Sequence, residues 1–582
     1  MFSSRKQITI FEKDAPFVGI YNAHTPPQIE QKNAFLYAAV YQGVRIAGLV
    51  HDVGHFPYSH TIEDVLGILR RKWMAADSAE RNANKEDYLR LVEDYVDEEN
   101  ESVKLHEVIT VKLLPVVETE CIHFVKEDLK DATEEDENNF LLFCLFSFEV
   151  AHRILDTNFS NSSSIHQVLH QIISGTLDAD RLDFTSRDLL CSGVSKDIID
   201  YERLFMFLSF EENKSENEDY KKTKPYILTA VSKTVADIEE FLRKRWKSYK
   251  DVNYHHAVHK SELLMRTILM NMAEQSCAEN DVRKDSDNLN LPNDFLFGII
   301  RVLKVLKEEA DENAISDNFI RLDDSWLDTI IKNSKNNSDG NDMIGELAFG
   351  RKVYKSVIKR FADYLLLDEL VYSMFKTWSD EEEHLDLSNK LEEIYNNDGE
   401  ELYSNRIDYL LDTVYFKFED GVSLDHTEYI FSSHKFLIND VIDSLNRYMA
   451  EAQITKTRSP YDMKFFNTIE EELCCQMSGN IEEPSVLFGA INLKNGIGDD
   501  CMIRRKNTTE FFRFFSGLEG YLCAESLFIP KLHLYCKVEL DSDELLNKLA
   551  RIVFETLKAD IITFSETVIE EAKGLLNSGC GE

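Results

Sequence analysis

The sequence predicts a mainly α protein: a helical core, a helical lobe C-terminal to it, and a small α+β tail region. Three observations carry this. The 582 residues contain only 10 prolines. Long runs such as 226–247 and 352–376 repeat apolar residues at three- and four-residue steps, the period of an amphipathic helix. Beyond about residue 460 the texture changes. "PSVLFGAINL" and "KLHLYCKVEL" carry alternating or β-branched patterns that suit strands, and "SDELLNKLARIVFETLKADI" returns to a helical period.

The chain is too long for one compact core, so length predicts several domains or subdomains. Polar stretches at 96–102, 127–139, 210–222, 277–294 and 332–343 read as loops. Boundaries are placed in 277–294 and near "TKTRSPYD" at 455–462. This gives a core over 1–276, a helical lobe over 295–455 for assembly or regulation, and an α+β region over 460–582.

The balance of 65 basic against 105 acidic residues gives a net charge of −40. Such a surface repels long nucleic acids and anionic membranes, but a recessed basic site could still hold a small anion. The ten cysteines form no CxxC pair. That excludes a zinc-ribbon spacing and fits reduced thiols. "MFSSRKQITIFEKD" lacks the apolar centre of a signal peptide, and "FLLFCLFSF" is far short of the roughly 20 residues a bilayer needs. The expected compartment is the cytoplasm.

The chemistry concentrates in "AGLVHDVGHFPYSH", residues 47–60. Val44, Ala47, Leu49 and Val50 read as the buried face of a helix that ends at His51 and Asp52. Adjacent helical residues point about 100° apart, so gripping one cation with both requires the turn that Gly54 permits. His55 and His60 follow. A cation needs more ligands. One candidate is His24, beside a helix read from about 26 to 42 that starts at Pro26-Pro27. The other is "SGTLDADRLDFTSRD", with Asp178, Asp180, Asp183, Asp188, Arg181 and Arg187 on a helical pattern. Its alternative reading is a surface helix laced by pairs such as Asp183–Arg187.

"HDVGHFPYSH" resembles the HD-domain phosphohydrolases, and most closely the branch of dGTP and SAM-and-HD-domain deoxynucleotide triphosphohydrolases. "LDADRLDFTSRD" resembles that branch's second motif. "LHEVIT" (His106, Glu107) and "VNYHHAVHKSELL" (Tyr254, His255, His256) are similar to two further ones. The resemblance implies an HD helical core. It implies His24, His51, Asp52 and Asp180 as ligands of one divalent metal, for which Mn, Fe, Mg or Ni suits the donor set better than structural zinc. His55, His60 and His106 become candidate acids or bases, with Glu107 to orient His106. Arg181, Asp188, Arg245, Tyr254 and His256 become substrate contacts. An Arg common in the family is Tyr21 here, and Phe56 replaces a residue that is often small.

The implied reaction releases a deoxynucleoside and inorganic triphosphate from a dNTP, which would suit dNTP depletion in antiviral defence. An effector nucleotide, with Arg504, Arg505 and Lys506 as its candidate site, and a homo-oligomer, dimer or tetramer, go with that reading. Two others stand beside it: an HD nucleotidase or phosphodiesterase acting on monophosphates or short or cyclic oligonucleotides, and a nucleotide sensor without turnover.

Overall fold

The computed structural model describes residues 8–9, 22–23, 34–76, 81–95, 105–130, 133–156, 164–196, 199–212, 226–279, 294–307, 319, 321–334, 342–397, 410, 437–451, 461–477, 484–491, 501–505, 508–512, 516–518, 522 and 529–578. The chain is mainly α. A two-residue antiparallel pair, β1 (Ile8–Thr9) and β2 (Asn22–Ala23), precedes α1 (Ala34–Val50), α2 (His60–Ala75), α3 (Ala83–Val92), α4 (Leu105–Asp128) and α5 (Glu134–Leu155). Then come α6 (Ser164–His170), α7 (Ala179–Cys191), α8 (Glu202–Met206), β3 (Leu208–Glu212), β4 (Tyr226–Val231), α9 (Val235–Ser248) and α10 (His256–Glu279). The C-terminal half holds α11 (Phe295–Lys307), α12 (Asp324–Ser334), α13 (Asp342–Phe349), β5 (Tyr354–Ile358), α14 (Phe361–Ser379), α15 (Glu382–Asn397), α16 (Leu437–Glu451) and α17 (Tyr461–Met477). It closes with β6 (Val486–Ala490), β7 (Met502–Arg505), β8 (Thr508–Phe511), β9 (Leu532–Lys537) and α18 (Ser542–Ser578).

Three local expectations are corrected. What read as a helix over 26–42 and a second ending at His51 is, among the described residues, the single helix α1. Nothing between 34 and 50 breaks it. Gly43 is tolerated because α1 crosses α5 there: a Cβ on Gly43 would lie 2.6 Å from Val150 Cγ1. Leu49 is 85% exposed rather than buried; Ala47 and Val50 carry the packing. The run 226–247 begins as strand β4, and 352–376 contains strand β5 before α14. Both strands are short and run on into a helix, and periodicity alone does not separate strand from helix over so few residues.

The two main sheets explain the tail. β3, β4, β7 and β8 form one sheet, with β4 and β7 parallel and the other neighbours antiparallel. β5, β9 and β6 form the other, antiparallel throughout. The strands after residue 484 are thus divided between two sheets, each of which takes in a segment from far earlier in the chain.

The β5–β9–β6 sheet lies between two cores. On one side Tyr535 and Leu487 join α2, α3, α10, α11, α12 and α13; on the other Leu534, Cys536, Val486 and Phe488 join α14, α16, α17 and α18. Alternation along a strand sends successive side chains to opposite cores. In β5 Tyr354 faces the first core and Ile358 the second, although their spacing would put them on one face. A register shift between Ser356 and Ile358 inverts the phase.

Where α10 meets this sheet, His259 Nδ1 lies 3.0 Å from His533 Nδ1, so one ring donates and the other accepts. A Cβ on Gly489 of β6 would come within 2.6 Å of His259 Cε1, so glycine makes room for that ring. Burial pushes His259 down to about 4 and His533 down to about 3. Both folded values lie below the ordinary histidine value of 6.5, so the unfolded chain takes up these protons first. The pair's contribution is therefore present above pH 6.5 and lost as pH falls toward 4, by about 1.4 kcal/mol per pH unit for each proton. Thermal melts from pH 7 to 4 should show a shallower decline for His533→Asn than for the parent; equal slopes would remove the pair from the acid response.

Candidate metal centre

α1 delivers the HD pair and then stops. Val53 N–H donates to Val50 O and His55 N–H to Asp52 O, a tight turn after the last helical residue. Thr110 of α4 holds this turn from the side: its hydroxyl donates to His51 O at 2.9 Å and accepts from Gly54 N–H at 3.0 Å. A Cβ on Gly54 would stand 2.2 Å from His106 O and 2.5 Å from Thr110 N. Any side chain there drives the turn off α4. Gly54→Ala should cost about 3 kcal/mol of stability, the upper end for overpacking, because the obstruction is backbone. An unchanged denaturation midpoint would show that the turn can move freely.

His51 donates through Nδ1–H to Gly48 O at 3.0 Å, which leaves Nε2 as the ligand atom. Nε2 lies 3.2 Å from Asp52 Oδ2 and 3.8 Å from Asp180 Oδ1. Asp180 sits in the first turn of α7, whose N-terminus is capped by the buried Asp178 accepting from Arg181 N–H. Hydrogen bonding to Asp52 raises the His51 imidazole, while His51 and His55 hold the Asp52 carboxyl well below the usual carboxylate range. Burial raises Asp180, against the pull of His51. One ligand atom from each of His51, Asp52 and Asp180 lies within 4.8 Å of the others. One imidazole and two carboxylates at that spacing fit a divalent cation.

A second group adjoins the first. His55 Nε2 lies 3.4 Å from Asp52 Oδ1. The His55 ring stacks on His106 at 4.2 Å, and His60 meets both edge-on at 4.9 and 5.6 Å. The residue that organises them is Glu63, one helical turn after His60. Its Oε1 takes Leu105 N–H at 3.1 Å, His106 N–H at 2.9 Å and lies 2.8 Å from His106 Nδ1; its Oε2 lies 3.3 Å from His60 Nδ1. Burial alone would raise this carboxyl, but His106 and His60 outweigh it and hold Glu63 well below the ordinary range. Glu63 therefore caps α4 and fixes the His106 ring together. Tyr58 and Ser59, at φ +56° and +48°, hold the left-handed backbone that aims His60. Tyr58 is anchored to α12 by its N–H to Asp324 at 3.1 Å and its hydroxyl to Asp328 at 2.6 Å.

The other expected site residues are more scattered. Glu107 is exposed, and the carboxylate beside His106 is Glu63 instead. The geometry follows from the helix: Glu107 turns about 100° away from His106. Arg181 turns its Nε back to Asp178 at 3.3 Å. Asp188 lies two turns, about 12 Å, along α7 from Asp180. Arg245 is buried with its guanidinium 5.3 Å from the Tyr249 ring. Tyr254 packs near Trp246 and Tyr249, and burial lowers His256, whose carbonyl accepts from Tyr535. Arg504 pairs with Glu211 across the β3–β4–β7 sheet. Arg187 and Asp183 form the expected surface pair at 2.5 Å. His24, Tyr21, Lys506 and the Arg505 side chain lie outside the described residues.

No family model matches the chain. Over 336 residues it is 23% identical to an uncharacterized protein of Mycoplasma genitalium, covering 56% of this chain and 63% of that protein. Over 242 residues it is 22% identical to a protein of Acanthamoeba polyphaga mimivirus named as HD domain-containing, covering 42% of this chain and 40% of that one. The chain thus spans less than two thirds of the length of either relative. It is also similar to a solved phosphohydrolase from Bacteroides thetaiotaomicron, at a TM-score of 0.40 and 17% identity, over 86% of this chain and 80% of that one. No helix among the described residues is long and apolar enough to cross a membrane.

Proposed function

We propose that this chain is an HD-type, metal-dependent phosphohydrolase and that its substrates are deoxynucleoside triphosphates. One observation carries the reading: three cation donors, His51, Asp52 and Asp180, stand beside a histidine group that Glu63 orients. The similarity to a mimivirus protein named for the HD domain supports it, as does the resemblance of "HDVGHFPYSH" and "LDADRLDFTSRD" to the triphosphohydrolase motifs.

A bound divalent cation supplies Lewis-acid stabilisation of the charge that develops on phosphate oxygens. The protein's residues do the rest. Glu63 takes up the Nδ1 side of His106 and leaves Nε2 to exchange a proton with the reacting groups. Water attack at the α-phosphorus breaks the bond to the sugar 5′-oxygen. The water gives up a proton, the departing oxygen gains one, and His55, His60 and His106 are the groups placed to move both. Arg181, Asp188, Arg245, Tyr254 and His256 are the proposed substrate contacts, and an effector nucleotide is proposed as a regulator.

A second reading, a phosphodiesterase acting on short or cyclic oligonucleotides, is favoured by one observation. His55, His60, Glu63 and His106 are themselves a group of four possible ligands, such as a two-cation centre would use.

The test is turnover of each of the four dNTPs, singly and mixed, with Mn²⁺ or Mg²⁺, and separation of the products. Deoxynucleoside plus triphosphate is expected; turnover only in mixtures would place an effector in the cycle. No hydrolysis of any dNTP, with cleavage of a short or cyclic oligonucleotide instead, would overturn the first reading for the second.

A further inference from the structure

The segment that leads from the HD turn into α2 is held by a helix far along the chain, and the hold falls next to His60. Among the described residues, only Tyr58 and Ser59 are non-glycine residues with positive φ. Two in succession persist only where the surroundings over-determine them. Inside the segment, Ser59 N–H donates to Phe56 O at 2.9 Å and Thr61 N–H to Tyr58 O at 3.1 Å. From outside, Asp324 accepts the Tyr58 N–H and Asp328 the Tyr58 hydroxyl. Neither carboxylate is the cap of α12, since Asp323 takes that place by accepting from Trp326 N–H at 2.7 Å. Hydrogen bonding to Asp328 pushes the Tyr58 hydroxyl up to about 12, so it stays a donor well above neutral pH. His60 depends on this hold more than its neighbours do. Its side chain is 73% exposed, against 15% for His55 and 16% for His106. Its Nδ1 lies 3.3 Å from Glu63, where His106 Nδ1 lies 2.8 Å from the same carboxylate. With so little packed around the ring, the place of His60 is set by the backbone that delivers it.

We propose that Asp324 and Asp328 of α12, acting through Tyr58, are positioning residues for His60. They hold the left-handed pair that carries its ring against His55 and His106. The two hydrogen bonds join residues 266 and 270 positions apart. A helix of the C-terminal half thus sets the geometry of a group built on α2. The role deepens the phosphohydrolase reading and rests on it for its kinetic readout.

The test compares Tyr58→Phe, Asp328→Ala and Asp328→Asn with the parent, all as the full chain. One readout is turnover of dNTPs with Mn²⁺. The other is the Cε1–H resonance of His60 in protein whose histidines carry carbon-13 at Cε1, identified by its absence in His60→Gln. Tyr58→Phe and Asp328→Ala each remove the hydroxyl's bond and keep the rest of the segment. Each should lower kcat about tenfold, within what a misplacement of about 1 Å can cost, and leave KM unchanged. Each should also shift or broaden the His60 resonance. Asp328→Asn keeps an acceptor oxygen and should recover both readouts. Tyr58→Phe combined with Asp328→Ala should do no more than either alone, because both break one bond. Lys332→Ala removes the other partner of Asp328, at 3.3 Å, and should keep the parental kcat. A Tyr58→Phe variant with parental kcat, one that loses only melting temperature, or one whose kcat falls while the His60 resonance stays in place would overturn the proposal. A parent that hydrolyses neither dNTPs nor short oligonucleotides sinks the phosphohydrolase reading instead, and the resonance then decides the positioning role alone.

Discussion

Asp180→Ala is expected to lower metal-dependent phosphohydrolysis about a thousandfold, on the order of 4 kcal/mol of barrier. Among the described residues, Asp180 brings the one donor of its cluster that does not come from the HD turn, and it comes from a helix more than a hundred residues away. Without it His51 and Asp52 remain, and both come from one turn, which leaves the cation shell incomplete. Two readouts separate this from misfolding. The parent's melting temperature should rise on addition of Mn²⁺, because a ligand bound only to the folded state stabilises it. Asp180→Ala should keep its metal-free melting temperature and lose that rise. A variant with parental turnover and a parental metal response would remove Asp180 from the site.

Glu63 should show the second large effect, and its two roles can be separated by choice of replacement. Glu63→Ala leaves Leu105 N–H and His106 N–H without their acceptor at a buried helix start. The expected cost is about 2–6 kcal/mol, at roughly 1–3 for each of the two donors left unpaired. Glu63→Gln keeps an oxygen for those donors and removes the charge that faces His106 and His60. It should melt much closer to the parent yet turn over about a hundredfold more slowly, the usual scale of one positioned acid–base group. The carboxyl is depressed in the fold, so the unfolded state binds its proton more readily. Its contribution is present above the ordinary glutamate value of 4.5 and lost as pH falls below it. Glu63→Gln should therefore lose less stability than the parent between pH 4.5 and lower values. If Glu63→Gln melts and turns over like the parent while Glu63→Ala is destabilised, the carboxylate is a cap and nothing more.

Much of the site could be read along the chain. His51 and Asp52 are adjacent, Gly54 marks the turn, and the spacing of Asp178 and Asp180 at a helix start is local. The helical character of the chain, strands β6 and β9 and helix α18 were legible for the same reason: each rests on a periodicity within a short window. Glu63 was not. A glutamate one turn after a histidine is ordinary on any helix, and only the approach of residues 105 and 106 gives it a function. The signal was present in "HTIED", but nothing in that segment distinguishes Glu63 from its neighbour Asp64. Thr110 was equally silent, since a threonine inside a helix announces no partner 56 residues away.

Strands β4 and β5 were hidden because a short run that continues into a helix is too brief for either period to stand out. Their pairing decided the matter, since β4 meets β3 and β7, and β5 meets β9. The tail shows the same limit on a larger scale. Its strands are visible as strands, yet which sheet each joins depends on partners some 180 to 270 residues earlier in the chain. The sequence by itself determined what local interactions set: helix period, turn chemistry, and the side chains able to hold a cation or move a proton. The tertiary structure decided which of those side chains meet, because contact between distant segments is fixed by the packing of whole faces and the satisfaction of buried polar groups.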